Sequence, residues 1–361
     1  MSLDVLLVAG ARPNFVKLAP LHRALTTQGR LKTTIVHTGQ HYDDAMSGSF
    51  FRDLGIPEPE VNLEVGPGTH AVQTGTIMQR FEPVLLKLAP RWVVVFGDVN
   101  STVACALVAA KLGVKVAHVE AGLRSNDWTM PEEVNRVVTD RLATRLYVPS
   151  RDACENLARE GIPAERVVLV GNIMVDTLCA QLPQLDQGGI LRDWGVLAHK
   201  YVLVTLHRPS NVDDPTTLER ICLVLSQAAE REPVLFPAHP RTKARLAQVC
   251  RGQSLGRVRI IDPLPYDTFL GLMANARVVV TDSGGVQEET TALGIPCLTL
   301  RSSTERPITI SEGTNQLVEP DPTAFHRGLT AANGRRPRIP ELWDGHTAER
   351  IADDLVRHAA A

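Results

Sequence analysis

Four carboxylates, one histidine and a glycine pair carry most of the chemistry legible in this chain. Asp98, Glu120, Glu132 and Glu133 fall just beyond apolar runs or at the start of the helical stretches that follow. Carboxylates gathered in one place raise one another's pKa and supply protonated and ionised forms near neutral pH, which general acid/base chemistry needs. A single acid at such a position is better explained as a solvated loop residue or a helix cap. Asp98 competes as the N-cap of a helix beginning near Ser101. Four acids converging through topology weaken that explanation. The second signal is Asp282-Ser283-Gly284-Gly285-Val286-Gln287-Glu288-Glu289, which follows a β-branched run. It reads as a buried strand feeding a helix whose first amides lack partners. Such a helix start, with its positive dipole end, suits an anion such as a pyrophosphate. Turn geometry alone accounts for the glycines equally well. Glu289, one turn into the helix and placed to accept hydrogen bonds from a ribose, tips the reading towards a nucleotide.

Arg12 and Lys17 open the first helical stretch and suit either phosphate oxygens or charge balance for the acids. His207, with Arg208 beside it, follows a buried run. A histidine there shuttles protons, hydrogen-bonds a diphosphate, or is structural and bonded to a backbone carbonyl. The polar stretch 301–307 follows another run and reads as a loop facing a sugar or uridine.

These residues are positioned by a rhythm of short apolar runs separated by longer helical stretches. The runs cover 5–9, 33–37, 92–96, 114–119, 145–148, 167–170, 201–206, 234–237, 258–261, 278–281 and 296–300. Continuous rather than alternating apolar strands imply parallel sheets covered on both faces. The rhythm restarts after a polar, Gly-containing stretch at 184–194. The expected fold is therefore α/β, with two Rossmann-like doubly wound domains at 1–172 and 173–345. The helix 346–361, with Ile351, Leu355 and Val356 on one face, is expected to pack back on the first domain. In open α/β sheets ligands bind beyond the carboxyl ends of strands, where the residues above lie, so a cleft between the two sheets is expected.

Length and composition set limits. At 361 residues, with 44% hydrophobic and 22% charged residues, the chain suits two soluble domains with ample cores. A net charge of −2 offers no basic field for nucleic acid, so phosphate recognition must be local. Six cysteines stand singly, with no CxxC or CxxH spacing, which argues against a zinc site or a disulfide framework. The first apolar run is too short to span a membrane and has no basic segment before it. It reads as a strand of a cytoplasmic protein, with no membrane partner.

The same residues form ordered motifs. They include Gly10-Ala11-Arg12-Pro13 with Lys17 and Pro20, Thr38-Gly39-Gln40-His41, Gly97-Asp98 and His118-Val119-Glu120-Ala121-Gly122-Leu123-Arg124. Pro131-Glu132-Glu133 with Asn135-Arg136, Gly171-Asn172 with Asp176, and His207-Arg208 with Asn211 continue the series. Asp282-Ser283-Gly284-Gly285 and Thr304-Glu305-Arg306-Pro307 complete it. In these motifs the chain resembles the non-hydrolysing UDP-N-acetylglucosamine 2-epimerases, from its first strand to about residue 318. The resemblance implies a glycosyltransferase-B-like fold and interconversion of UDP-GlcNAc and UDP-ManNAc. It also implies no metal or redox cofactor, and a homodimer.

The C2 proton of the sugar is not next to a carbonyl, so the family eliminates UDP to 2-acetamidoglucal and adds it back with the proton on the other face. By resemblance Asp98, Glu120 and Glu132 are acid/base candidates, and His207 and Arg12 steady the diphosphate. Ser283, Gly284 and Gly285 hold its oxygens, with Glu289 on the ribose. Lys17, Arg136, Asn172, Arg208 and Arg306 are carried over as substrate-binding. Gln40, His41 and His239 correspond to a second nucleotide site. Ala11 and Asn14 depart from the commoner Thr and Glu of the first motif, and Ser210 replaces an acid after His207. The last change puts activation by a second substrate molecule in doubt. The rival readings are a hydrolysing relative that releases ManNAc and UDP, a sugar transferase, and a silent nucleotide-sugar binder.

Overall fold

The computed structural model describes residues 4–40, 54–249, 256–332 and 338–359. The first sheet contains β1 (Val5–Ala9), β2 (Thr33–His37), β3 (Val61–Asn62), β4 (Trp92–Phe96), β5 (Lys115–Val119), β6 (Arg145–Val148) and β7 (Val167–Leu169), ordered β3-β2-β1-β4-β5-β6-β7. The second contains β8 (Val202–Thr205), β9 (Val234–Pro237), β10 (Val258–Ile261), β11 (Val278–Thr281), β12 (Cys297–Thr299) and β13 (Asn315–Leu317), ordered β10-β9-β8-β11-β12-β13. All the described pairings are parallel. Every residue of β1, β4 and β11 is buried, because helices cover both faces; this is why these strands read as unbroken apolar runs.

Strand order reverses between β1 and β4 in the first sheet and between β8 and β11 in the second. At such a switch point the connections leave in opposite directions and open a crevice at the strand ends. Gly10 and Asp98 flank the first crevice. His207 and Ser283 flank the second.

Proline at the first or second position opens the helices Arg12–Gln28, Pro131–Leu142, Pro209–Val212 and Pro215–Ala229. Its missing N–H costs nothing where no intrahelical partner exists. Two strands lacked a sequence signal: β3 has two residues and β13 reads Asn315-Gln316-Leu317. Both are edge strands, recruited by the backbone of a neighbour rather than by their own apolar character.

The chain forms two compact units, Met1–Thr177 with Glu341–Ala361, and Leu178–Pro340. The terminal helix Thr347–Ala359 thus returns to the first unit. Its Ala348, Ile351, Ala352 and Leu355 share a core with Phe15, Leu18 and Leu25 of the helix Arg12–Gln28. Burying Ile351 and Leu355 contributes about 1.5–3 kcal/mol each. Val356, expected on that face, is half-buried, and the small Ala348 and Ala352 complete it. Asp176 accepts hydrogen bonds from the Thr347 and Ala348 amides at 3.1 and 2.6 Å and so caps the helix. Asp354 anchors it to the sheet through Arg145 at 2.7 Å and the Tyr147 hydroxyl at 3.0 Å. Among the described residues no helix is long and apolar enough to cross a membrane.

Candidate active site

In the first unit the turn after β1 is fixed by steric need and by one amide side chain. A Cβ on Gly10 would lie 2.0 Å from Ser101 Oγ and 2.3 Å from Thr38 Oγ1, so no other residue fits. Asn14 Oδ1 accepts from the Gly10 and Ala11 amides at 3.2 and 3.1 Å, and Asn14 Nδ2 donates to Phe96 O at 2.9 Å. The ends of β1 and β4 are thereby joined. Arg12 begins the helix immediately after.

Three of the four acids are held by cations. Lys17 pairs with Glu120, and both are buried. Glu120 follows β5 with φ 72°, a conformation costing a non-glycine residue about 1–3 kcal/mol. It is held there because the Glu120 and Ala121 amides both donate to Tyr147 O at 3.1 Å. Arg136 donates to Asp98 Oδ2 through Nε at 2.9 Å and Nη2 at 2.8 Å, and its Nη1 reaches Glu133 at 2.5 Å. Glu133 also accepts from the Ser125 and Asn126 amides, so its carboxylate braces a loop. Asp98 is not a helix cap: Val99 precedes the helix Asn100–Lys111, with no side-chain cap.

Asp98 and Glu132 open on one pocket of about 320 Å³, lined also by Gln40, His70, Asn100 and Asn135. Asn135 Nδ2 donates to Asp98 O at 2.8 Å, and His70 lies 3.2 Å from Asn100 Nδ2. Behind them His118 donates through Nε2 to Gly97 O at 2.8 Å, with Nδ1 2.7 Å from Asp140. Burial pushes the Asp140 carboxyl up, but His118 and Arg124 beside it bring it below the ordinary value. Asp140 also accepts from the Gly122 amide at 3.1 Å, so one buried acid holds the His118 ring on one side of Glu120 and the backbone on the other.

In the second unit the organising residue is Asp282, fully buried at the end of β11. Its carboxylate accepts from the His207 amide at 3.1 Å, the Arg208 amide at 3.0 Å and Asn211 Nδ2 at 3.0 Å. His207 Nδ1 lies 2.9 Å from it, and the ring is 63% exposed. With Nδ1 committed to Asp282, Nε2 is the atom left to meet a ligand. Burial pushes the Asp282 carboxyl up, but the His207, Asn211 and Arg208 donors outweigh this and hold it below the ordinary value.

The helix Gly284–Leu293 follows Ser283 without a side-chain cap, so its first-turn amides present themselves to an anion. A Cβ on Gly284 would lie 2.4 Å from Arg306 Nη1. Arg306 is buried and pairs with Glu288 at 2.9 Å and with Glu305. Glu305 also takes Arg301 at 2.8 Å. Burial pushes the Glu305 carboxyl up, yet Arg306 and Arg301 pull it far below the ordinary range. The polar stretch 301–307 is thus tied to the helix, as is Thr304, whose hydroxyl donates to Gln287 Oε1 at 2.7 Å. Glu289, 5% exposed, accepts from the Tyr266 hydroxyl at 2.7 Å. Burial raises its carboxyl to about 7, against the Tyr266 hydrogen bond and helped by the charge of Glu288.

Other expected residues are placed less directly. Asn172 is 3% exposed, and its Oδ1 accepts from the Met174 amide at 2.9 Å, which makes it a cap for the helix Ile173–Gln181. Gln40 Oε1 accepts from Ser101 N at 3.0 Å and Ser101 Oγ at 2.7 Å. Arg208 Nε donates to Asp282 O at 3.2 Å. His239 is exposed after β9, with Nδ1 accepting from the Arg241 amide at 3.4 Å, and His41 lies outside the described residues. Sequence reasoning passed over His70, Asn100 and Tyr266. Thr69 as an N-cap just before His70 was the one local signal available.

Two doubly wound parallel sheets, each with polar groups gathered at its switch point, define a glycosyltransferase-B-like α/β protein. The family model for UDP-N-acetylglucosamine 2-epimerase matches residues 23–356. The UDP-N-acetylglucosamine 2-epimerase of Methanocaldococcus jannaschii is 44% identical over 365 residues, covering 99% of each chain. The UDP-2,3-diacetamido-2,3-dideoxy-D-glucuronate 2-epimerase of Pseudomonas aeruginosa is 41% identical over 88% of each. A crystal structure of the M. jannaschii UDP-GlcNAc 2-epimerase, in complex with UDP-GlcNAc and UDP, superposes with a TM-score of 0.87, covering 98% of this chain and 100% of that one at 38% identity. The chain belongs to the UDP-N-acetylglucosamine 2-epimerase family.

Proposed function

We propose that the chain interconverts UDP-GlcNAc and UDP-ManNAc without releasing free sugar. The carrying observation is the pocket onto which Asp98 and Glu132 open together, with the Lys17–Glu120 pair at the neighbouring strand end. A carboxylate removes the C2 proton, the electron pair forms the C1–C2 double bond, and the C1–O bond breaks to give UDP and 2-acetamidoglucal. In reverse, a proton is delivered to the opposite face of C2 and a UDP oxygen adds to C1. Asp98, Glu120 and Glu132 supply the acid/base groups. Arg136 orients Asp98, and Glu133 braces Arg136.

UDP must stay bound between the two steps. The helix start at Ser283, Gly284 and Gly285, with His207 Nε2, suits its diphosphate oxygens, and Glu289 suits the ribose. A site that excludes water protects the glycal from hydrolysis. The enzyme acts in the cytoplasm as a homodimer; light scattering at micromolar concentration should give twice the mass of one chain.

Incubation with UDP-GlcNAc in deuterated water, followed by proton NMR, tests the reaction. Deuterium at C2 together with UDP-ManNAc is expected. Free ManNAc with UDP would assign the hydrolysing reaction, and tight UDP binding without exchange would leave only a binder.

A further inference from the structure

We propose that Tyr266 is a positioning residue for nucleotide capture, its hydroxyl holding the Glu289 carboxylate ready to accept the ribose hydroxyls of a nucleoside diphosphate. This rests on reading the Ser283-Gly284-Gly285 turn as the nucleotide anchor. Tyr266 opens the helix Tyr266–Ala274, and its ring packs against the core cluster that contains Val286, on the same helix as Glu289. The 2.7 Å hydrogen bond therefore joins two packed helices.

The choice of partner has a physical consequence. An arginine fork would engage both carboxylate oxygens and consume their acceptor capacity. A tyrosine hydroxyl engages Oε1 alone and adds no charge, so the second oxygen keeps its lone pairs for a diol. Arg306 pairs with the adjoining Glu288 and with Glu305. The charged groups acting on the dyad are Glu288 on the same helix and Asp267 beside Tyr266, and Glu288 is itself paired with Arg306 from the stretch after β12. Glu289 is buried, with Glu288 adding repulsion, and the Tyr266 hydrogen bond is what favours its charged form. Burial and the adjoining carboxylate keep the Tyr266 hydroxyl protonated, so it remains a donor throughout the working range.

The test is calorimetric titration of UDP into the full-length enzyme between about pH 6 and about pH 9, with thermal unfolding to confirm the fold. Wild-type affinity is expected to fall as pH drops through about 7, where Glu289 takes up its proton. Tyr266→Phe should bind about fivefold more weakly at neutral pH, with its curve shifted to alkaline pH by about one unit. It should approach the wild-type affinity, within about twofold, at the alkaline end. Glu289→Gln should bind weakly at all these pH values. A Tyr266→Phe curve superimposable on wild type, or weaker by one constant factor throughout, overturns the positioning role. Absence of UDP binding by the wild type would instead overturn the nucleotide reading beneath it.

Discussion

The two units arm their strand ends by different means. In the first, carboxylates at or near the strand ends sit against cations: Lys17 with Glu120, and Arg136 with Asp98 and with Glu133 of its own helix. In the second, Asp282 is closed over by two backbone amides, Asn211 and the His207 ring, and Glu289 by a single hydroxyl. The first arrangement balances charge locally around the carboxylates proposed to move protons. The second commits its donors to one buried acid and leaves His207 Nε2 and the helix start for the proposed grip on the diphosphate. Burial alone does not decide how a carboxylate behaves. Asp282 and Glu289 flank the same turn and are both buried, yet one is held below its ordinary value and the other is raised to about 7. The number of donors around each acid makes the difference.

The largest test of this contrast is Asp98→Asn. Turnover should fall by about 10²–10⁴-fold while UDP affinity changes by less than about twofold. A collapse of UDP binding would merge the two roles that the units are read as dividing. Asp282→Ala should rank next, because it strands the His207 and Arg208 amides and Asn211 without their acceptor. A loss of about 3 kcal/mol in urea unfolding is expected. A change within about 0.5 kcal/mol would deny Asp282 its organising place.

Gly284→Ala should be milder, since the new methyl group meets Arg306, which Glu288 and Glu305 pin in place. UDP affinity should drop by about tenfold, or about 1.4 kcal/mol, with C2 exchange at saturating substrate preserved. The last test is the stability of Glu289→Gln. The folded-state value of Glu289 is raised, so the acid's contribution to stability is present below the ordinary 4.5 and is lost as pH rises through about 7. The glutamine variant of the ligand-free protein should therefore be about 1–2 kcal/mol more stable than wild type near pH 8, and the two should match near pH 4. An equal gain at both pH values would mean that packing, not charge, governs the site.

Much of the fold was legible because buried parallel strands write themselves as continuous apolar runs; β1, β4, β8 and β11 could hardly be read otherwise. The edge strands β3 and β13 were not, since a backbone ladder can recruit Val61-Asn62 or Asn315-Gln316 without any apolar pattern. The candidate site divides in the same way. Residues directly after strands, such as Asp98, Glu120, His207 and Ser283, follow from topology. Their partners do not: Asp282 reaches His207 across 75 residues, and Arg136 reaches Asp98 across 38. Adjacent letters also misled. Glu132 and Glu133 look equivalent in the sequence, but the rotation of about 100° between successive helix residues sends one to the pocket and the other to a loop. Asn172, a motif residue, works in the described geometry as a helix cap.

The return of the helix Thr347–Ala359 to the first unit sets a schedule for biosynthesis. Phe15, Leu18 and Leu25 leave the ribosome early, but Ile351 and Leu355, which share their core, come more than three hundred residues later. Leu178–Pro340 is one unbroken stretch and has all of its own core in hand before that moment. The unit that starts first is therefore finished last. During the wait an apolar face of the helix Arg12–Gln28 stands open, and in that interval the nascent chain is most exposed to aggregation and to chaperones.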